Sequence, residues 1–369
     1  MKYDSHKDAR ECYTNSSNKA KRLQMITIDG GAKSGSGTIV RYCVALASLL
    51  GKETKIENIR AKRDKPGLRA QHLKVVQACQ EMCHGAVDNA AIGSKDITYI
   101  PKERFKGGEY HWDIGTAGST TMLAQTLLPV ACFAEKPSKF RLEGGLFQDF
   151  APSAYHTRYV LLPLLKQMGI QAELEIVRPG YVPRGAGILE IKVEPARKLK
   201  PLSLAEQGHI LGIKGIALSS HLKEKKVSRR MATACRRLLG SYGYEAAIEE
   251  VHDQSSLQEG AALAIYAETS TGGRIGSDRA GRPGRSSESI GSYVARSFVE
   301  NVKSGAAVDT YLADQLIIYA SLAEGITRYS IPRITEHIET NLWLVGDFLG
   351  AKAKIRDHLL EIEGIGFSR

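Results

Sequence analysis

A chain of 369 residues, 43% hydrophobic and 25% charged, can bury full cores and has room for two domains. Lysine and arginine number 51 against 40 acidic residues, a formal net charge of +11, which points to a polyanionic partner held less tightly as salt rises. Aromatic residues at 7% argue against a single-strand binder built mainly on stacking platforms, and no apolar run approaches the roughly 18 residues of a membrane span.

Residues 1–22 have almost no apolar periodicity and read as a flexible N-terminal extension, with no signal-peptide pattern. A strand over 23–28 then breaks at Asp29-Gly30-Gly31 into a Gly/Ser loop, followed by an apolar helix over 39–50 that stops at Gly51. Strand, glycine loop and helix outline an anion site, because glycines let backbone N–H groups approach an oxyanion and the helix N-terminus adds its dipole. A P-loop is excluded: Lys33 precedes Gly35, and Gly37 leads into Thr38 rather than Lys-Ser/Thr. Arg60, Lys62, Arg63, Lys65 and Arg69 gather around Pro66-Gly67 before a helix over 68–83, with Gln71 and His72 in its first turn. A solvated charge run and a phosphate-binding cluster both fit that pattern.

The strand–loop–helix pattern recurs: strand 110–114, loop 115–119 and helix 120–134, then strand 140–142, a loop to Pro152 and helix 153–168 ending at Gly169. Strand 187–193, after Arg184-Gly185-Ala186, is a fourth candidate start. Such repetition predicts duplicated α/β modules with loops gathered at one end. After Pro195 the composition shifts. ARKLKP reads as a linker, followed by strand 208–220, a basic helix 224–239, strand 261–269, a glycine-rich mobile loop 272–291 and a helix 292–303. This predicts a smaller inserted domain over 196–303 within a main body of 23–195 plus 304–369, to which a helix over 311–323 returns. The six cysteines, Cys12, Cys43, Cys79, Cys83, Cys132 and Cys235, are scattered. Cys79 and Cys83 have no second pair to complete a zinc site, so reduced, buried thiols in a cytoplasmic protein are expected.

Near the far end, His337 precedes Thr340-Asn341 and an apolar helix over 342–349. Thr and Asn read as N-cap residues of that helix. A neutral imidazole beside a helix N-terminus can attack a phosphoryl group while backbone donors hold the departing oxygens.

Taken together, Asp29-Gly30…Gly35-Ser36-Gly37…Arg41, the run from Arg60 through Lys65-Pro66-Gly67-Leu68 to Gln71-His72, and Asp113-Ile114-Gly115-Thr116-Ala117-Gly118-Ser119 resemble the RNA 3′-terminal phosphate cyclases. So do Gly281-Arg282-Pro283-Gly284…Glu288, Tyr311-Leu312-Ala313-Asp314-Gln315-Leu316 and His337-x-x-Thr340-Asn341, in the same order over residues 23 to 350. The resemblance implies an α/β (α+β) fold of repeated βαβαββ-type modules, like the C-terminal domain of an initiation factor, with a smaller inserted α/β domain. It also implies ATP-dependent conversion of an RNA 3′-phosphate end into a 2′,3′-cyclic phosphodiester, through covalent histidine–AMP and RNA-adenylate intermediates. His337 matches the nucleophile. Pro152, Tyr311, Asp314, Gln315 and Gln125 match positions around the nucleotide, and Arg41, Arg60, Arg63, Gln71 and His72 match the cluster that holds phosphates of ATP or the RNA end.

The resemblance implies ATP and a divalent metal, magnesium or manganese, as cofactors; it names no protein partner and no membrane. Two positions depart from the family pattern. Ser34 and Thr38 stand where an acidic residue and a glutamine are usual, and a serine hydroxyl is a weak partner for a hard cation; the metal site therefore stays unassigned. The loop 146–153 (LFQDFAPS) departs as well, keeping Ala151-Pro152. These departures leave open a cyclase-like RNA-binding factor, weak or inactive in catalysis and acting in RNA processing or ribosome assembly. An enolpyruvyl transferase, built from similar modules, would give His337 no role.

Overall fold

The computed structural model describes residues 25–368; the predicted 1–22 extension and Cys12 lie outside them. One connectivity is used three times. The first copy runs β1 (Ile26–Asp29), α1 (Gly37–Leu50), β2 (Thr54–Glu57), α2 (Ala70–Met82), β3 (Ala86–Asp88) and β4 (Ile97–Ile100), and its sheet has the order β1-β2-β4-β3. Helix α1 has the pattern expected of a buried helix, apolar nearly all round. Ser36 caps its N-terminus through its side chain, and Gly51 ends it at φ +64, a conformation that favours glycine.

The second copy comprises β5 (Gly108–Asp113), α3 (Thr120–Ala131), β6 (Ser138–Gly144), a helical run, β7 (Gln171–Arg178) and β8 (Gly187–Glu194), in the order β5-β6-β8-β7. The run is α4 (Ala154–His156), a π-helical turn (Thr157–Leu161) and α5 (Leu162–Gln167). The third copy opens with β9 (Ser203–Leu204). Before it continues, the chain makes β10 (Ile210–Ser220), α6 (Val227–Ser241), β11 (Ala246–Asp253), β12 (Gly260–Thr269), β13 (Arg274–Ala280) and α7 (Ser287–Lys303). It then resumes with α8 (Thr310–Leu322), β14 (Glu324–Ser330), α9 (Glu336–Leu349), β15 (Lys352–Arg356) and β16 (Leu359–Ile365), giving the order β9-β14-β16-β15. In every copy the first two strands are parallel and the remaining pairs antiparallel. The fold is thus a mixed α/β arrangement of three βαβαββ units, with a segment inserted in the first crossover of the third.

The helices of the three units share one apolar core, in which Ile39, Leu46, Leu127, Leu316 and Leu344 are fully buried. The inserted sheet, ordered β11-β10-β12-β13, buries a separate cluster with α6 and α7 that includes Met231, Leu263 and Phe298. Cys43, Cys79, Cys83, Cys132 and Cys235 are buried free thiols, and among the described residues no helix is long and apolar enough to cross a membrane.

Four expectations need correction. Residues 187–193 form β8, the last strand of the second unit, rather than opening a fourth. The stretch 272–291 is not a mobile loop; it holds β13 and the start of α7. Gly276 is needed there because a Cβ would lie 2.7 Å from Val160 Cγ2. The 196–201 segment is no free linker, since Ala196 and Leu199 are buried and Leu199 O accepts from Glu324 N at 2.9 Å. Finally, α9 begins at Glu336 with Thr335 as its cap, so His337 lies within the first turn, and Thr340 and Asn341 are interior residues rather than caps.

Candidate active site

Four helices turn one face each toward a common cavity. Its wall takes Thr38, Arg41, Tyr42 and Ala45 from α1, Met122, Gln125, Thr126 and Pro129 from α3, Tyr311, Asp314, Gln315, Ile318 and Tyr319 from α8, and His337 and Asn341 from α9. Steps of three and four residues put each set on a single helical face. Phe150, Pro152 and Leu161 of the second unit complete the lining.

His337 is half-buried, and its Nδ1 lies 3.3 Å from Thr38 Oγ1, which accepts from Arg41 Nη2 at 2.8 Å. Burial lowers the imidazole pKa, and the neighbouring Arg41 and Arg63 lower it further, so the ring is neutral at pH 7. Thr38 Oγ1 has lone pairs for both Arg41 and an Nδ1–H. In that tautomer, assigned from the hydrogen-bond geometry, Nε2 carries the free electron pair. The Asp314 carboxyl is pushed up to about 7 by burial, against the pull of Arg41. Its backbone oxygen accepts from Tyr42 Oη (3.2 Å) and Asn341 Nδ2 (3.1 Å), which ties α1 and α9 to α8. Arg41, itself lowered to about 10 by burial, remains cationic. Three buried polar atoms of the cavity residues have no protein partner: Gln315 Oε1, Asn341 Oδ1 and Tyr319 Oη. Buried polar atoms are paired in most folds, so this set suits a polar ligand.

Of the residues expected at the site, His337, Arg41, Gln125, Pro152, Tyr311, Asp314 and Gln315 line this cavity. The others stand outside its wall. Arg63 is exposed on the adjoining loop, close enough to act on the His337 charge. Arg60 donates to the carbonyls of Lys65 (2.6 Å) and Gly67 (2.9 Å), bracing its own loop. Gln71 Oε1 accepts from Ser119 N at 3.1 Å and joins the first two units. His72 is 4% exposed, accepts from Arg69 N through Nδ1, and packs so closely on Gly37 that a Cβ there would sit 2.0 Å from His72 Nε2. Sequence reasoning passed over Tyr42, Tyr319 and Phe150, although the first two fall at helical spacing from Thr38 and Gln315.

The first loop does not fit a protein-held divalent cation. Ser34 is buried. Its hydroxyl lies 3.0 Å from both Thr340 Oγ1 and Ser36 Oγ, and its N–H donates to Thr340 Oγ1 at 3.2 Å, while the Thr340 hydroxyl donates to Glu336 O at 2.6 Å. Asp314 is the one carboxylate of the cavity wall, and among the described residues no group of three His, Cys, Asp or Glu is placed to share a metal.

The sequence model of the family described as RNA 3′-terminal phosphate cyclase matches residues 32–355. The chain belongs to that family. It is 35% identical over 346 residues to the RNA 3′-terminal phosphate cyclase of Pyrobaculum neutrophilum, covering 93% of this chain and 99% of that one. The enzyme of the same name from Desulfurococcus amylolyticus is 35% identical over 360 residues, covering 94% and 99%. That of Methanococcoides burtonii is 36% identical over 331 residues, covering 90% and 96%. The matched range takes in parts of all three units and the whole of the inserted segment.

Proposed function

We propose that this cavity converts an RNA 3′-phosphate end into a 2′,3′-cyclic phosphodiester at the expense of ATP. His337 Nε2 attacks the α-phosphorus of ATP, and the bond to pyrophosphate breaks. An oxygen of the RNA 3′-phosphate then attacks the same phosphorus and releases His337. The adjacent 2′-hydroxyl attacks the RNA phosphorus, gives up its proton and displaces AMP. The observation carrying this reading is a neutral His337, aimed by Thr38 and set beside Arg41 in a cavity with unpartnered polar atoms. A neutral imidazole is a competent nucleophile near pH 7. Arg41 and Arg63 supply the positive charge that phosphoryl oxygens need in the transition state, and Gln315 Oε1 can accept from an exocyclic amine of adenine. No step is assigned to a metal.

A second reading, a cyclase-like RNA-binding factor without turnover, draws on Ser34, which turns inward and offers the phosphates no cation site. Both are tested by transfer of label from α-phosphate-labelled ATP to the protein, with magnesium and with manganese, followed by a chase with 3′-phosphorylated RNA. Label on the wild type, absent in His337→Ala and discharged with formation of a cyclic end, supports the enzyme. RNA binding without label under either metal rejects it in favour of the binding factor.

A further inference from the structure

Phe150 is 91% exposed, the highest value among the large apolar side chains of the described residues, yet it borders the cavity. A lining residue that stands mostly in solvent lies at the rim. Its backbone adopts φ +66, a conformation that side chains other than glycine, asparagine and aspartate rarely take, and the flanking residues hold it there. The Asp149 carboxylate accepts two bonds from Arg285, at 2.9 and 2.8 Å, and has Arg279 at 3.4 Å and Arg282 at 3.7 Å. On the other side Ala151 and Pro152 are buried, and Ser153 N donates to Asp278 Oδ2 at 2.9 Å. The ring is therefore presented by a fixed loop. One carboxylate against three guanidinium groups leaves the rim cationic, and the Arg282 side chain is 64% exposed.

A free aromatic face beside unneutralised arginines is the combination that holds a base and its phosphate, since any base can stack and arginine attracts the backbone. We infer that Phe150 is the stacking platform for the 3′-terminal base of the RNA, with Arg282 beside it for the phosphate on the 5′ side. The inference rests on the cyclase reading of the cavity. ATP also carries a base, but the buried unpartnered atoms Gln315 Oε1 and Asn341 Oδ1 suit its polar edge, which leaves the exposed Phe150 to the longer substrate.

The test uses the full-length protein and two fluorescent probes: an RNA ending in 2-aminopurine ribonucleotide 3′-phosphate, and 2-aminopurine riboside triphosphate. Stacking on Phe150 quenches the probe. Titration with the RNA is expected to quench it strongly with wild type and Phe150→Tyr. With Phe150→Ala the quench is lost, and RNA binding weakens about 5- to 150-fold, the equivalent of roughly 1–3 kcal/mol. Quenching of the triphosphate is expected to be the same for all three proteins. Equal RNA quenching and affinity in wild type and Phe150→Ala overturn the inference, as does a Phe150 dependence confined to the triphosphate. If His337 takes no label from ATP while the RNA quench still depends on Phe150, the cyclase reading fails and the platform stands. If His337 is labelled and the quench ignores Phe150, the platform alone fails.

Discussion

The hydroxyl of Thr38 lies 3.3 Å from Nδ1 of His337, 299 residues further along the chain. Because the same oxygen accepts from Arg41, it fixes both the ring orientation and the nitrogen that faces the cavity. Thr38→Val keeps the shape and removes the bond. A net hydrogen bond of this kind is worth about 1 kcal/mol, so the rate of His337 labelling in a single turnover should fall roughly fivefold. The KM for ATP should change little, and Thr38→Ser should restore the rate. Wild-type labelling by Thr38→Val would show that the ring is aimed by something else.

Thr340 holds the first loop from inside α9, through Ser34 N and Ser34 Oγ. Thr340→Val leaves both groups buried without that partner, at a cost on the order of 1–3 kcal/mol. The expected result is a melting temperature several degrees lower, with faster hydrogen exchange at the Ser34 amide. An unchanged amide would mean that the loop is held elsewhere.

Asp314 gives a stability signature with a definite sign. Its pKa rises from 3.8 to about 7 on folding, so the fold favours the protonated form. That contribution is complete below about pH 3.8 and is lost as pH rises through 7. Asp314→Asn, which cannot ionise, should match wild type near pH 4 and exceed it by a few kcal/mol at pH 8. Denaturant midpoints at the two pH values decide this, and a difference that does not grow with pH would contradict it.

His72 carries the opposite sign. Burial first, then Arg41, Arg60 and Arg69, lower it from 6.5 to about 3. Its contribution is complete above pH 6.5 and is lost as pH falls through 3, at roughly 1.4 kcal/mol per pH unit between those limits. Chemical denaturation of His72→Asn from pH 7 to 4.5 should therefore show a shallower acid loss than wild type. Parallel curves would place the acid sensitivity in other residues.

Much of this architecture was legible from local signals. Helix α1 was marked by its apolar run and Gly51, α3 by its small-residue loop, and β10 and β12 by their apolar patterning. What escaped was structure determined by distant partners. Thr340 and Asn341 look like caps because they are polar, but in the folded chain Thr340 donates to the Glu336 carbonyl and accepts from Ser34 N, and Asn341 donates to the Asp314 carbonyl, which lets them sit in mid-helix. Strands β14 and β15 expose most of their residues and carry little apolar alternation. Arg60 donates to loop carbonyls and His72 packs on Gly37, contacts that their residue types alone do not reveal. Only the tertiary packing sets them. The cavity was partly visible, since Arg41, Tyr311, Asp314 and His337 belong to motifs, whereas Phe150 looked like any loop aromatic.

The insertion between β9 and α8 has a kinetic side. Leu202 N meets Thr327 Oγ1, 125 residues away, at 3.3 Å, beside the parallel pairing of Ser203 with Arg328. Closing a loop of that length costs entropy before any contact repays it, and such non-local pairings form late. The inserted segment has its own sheet and apolar cluster, so its collapse draws the two ends of the gap together. The third unit supplies His337 and Asp314. Assembly of the surroundings of His337 should therefore be the last event in folding, dependent on a segment that contributes nothing to the cavity wall.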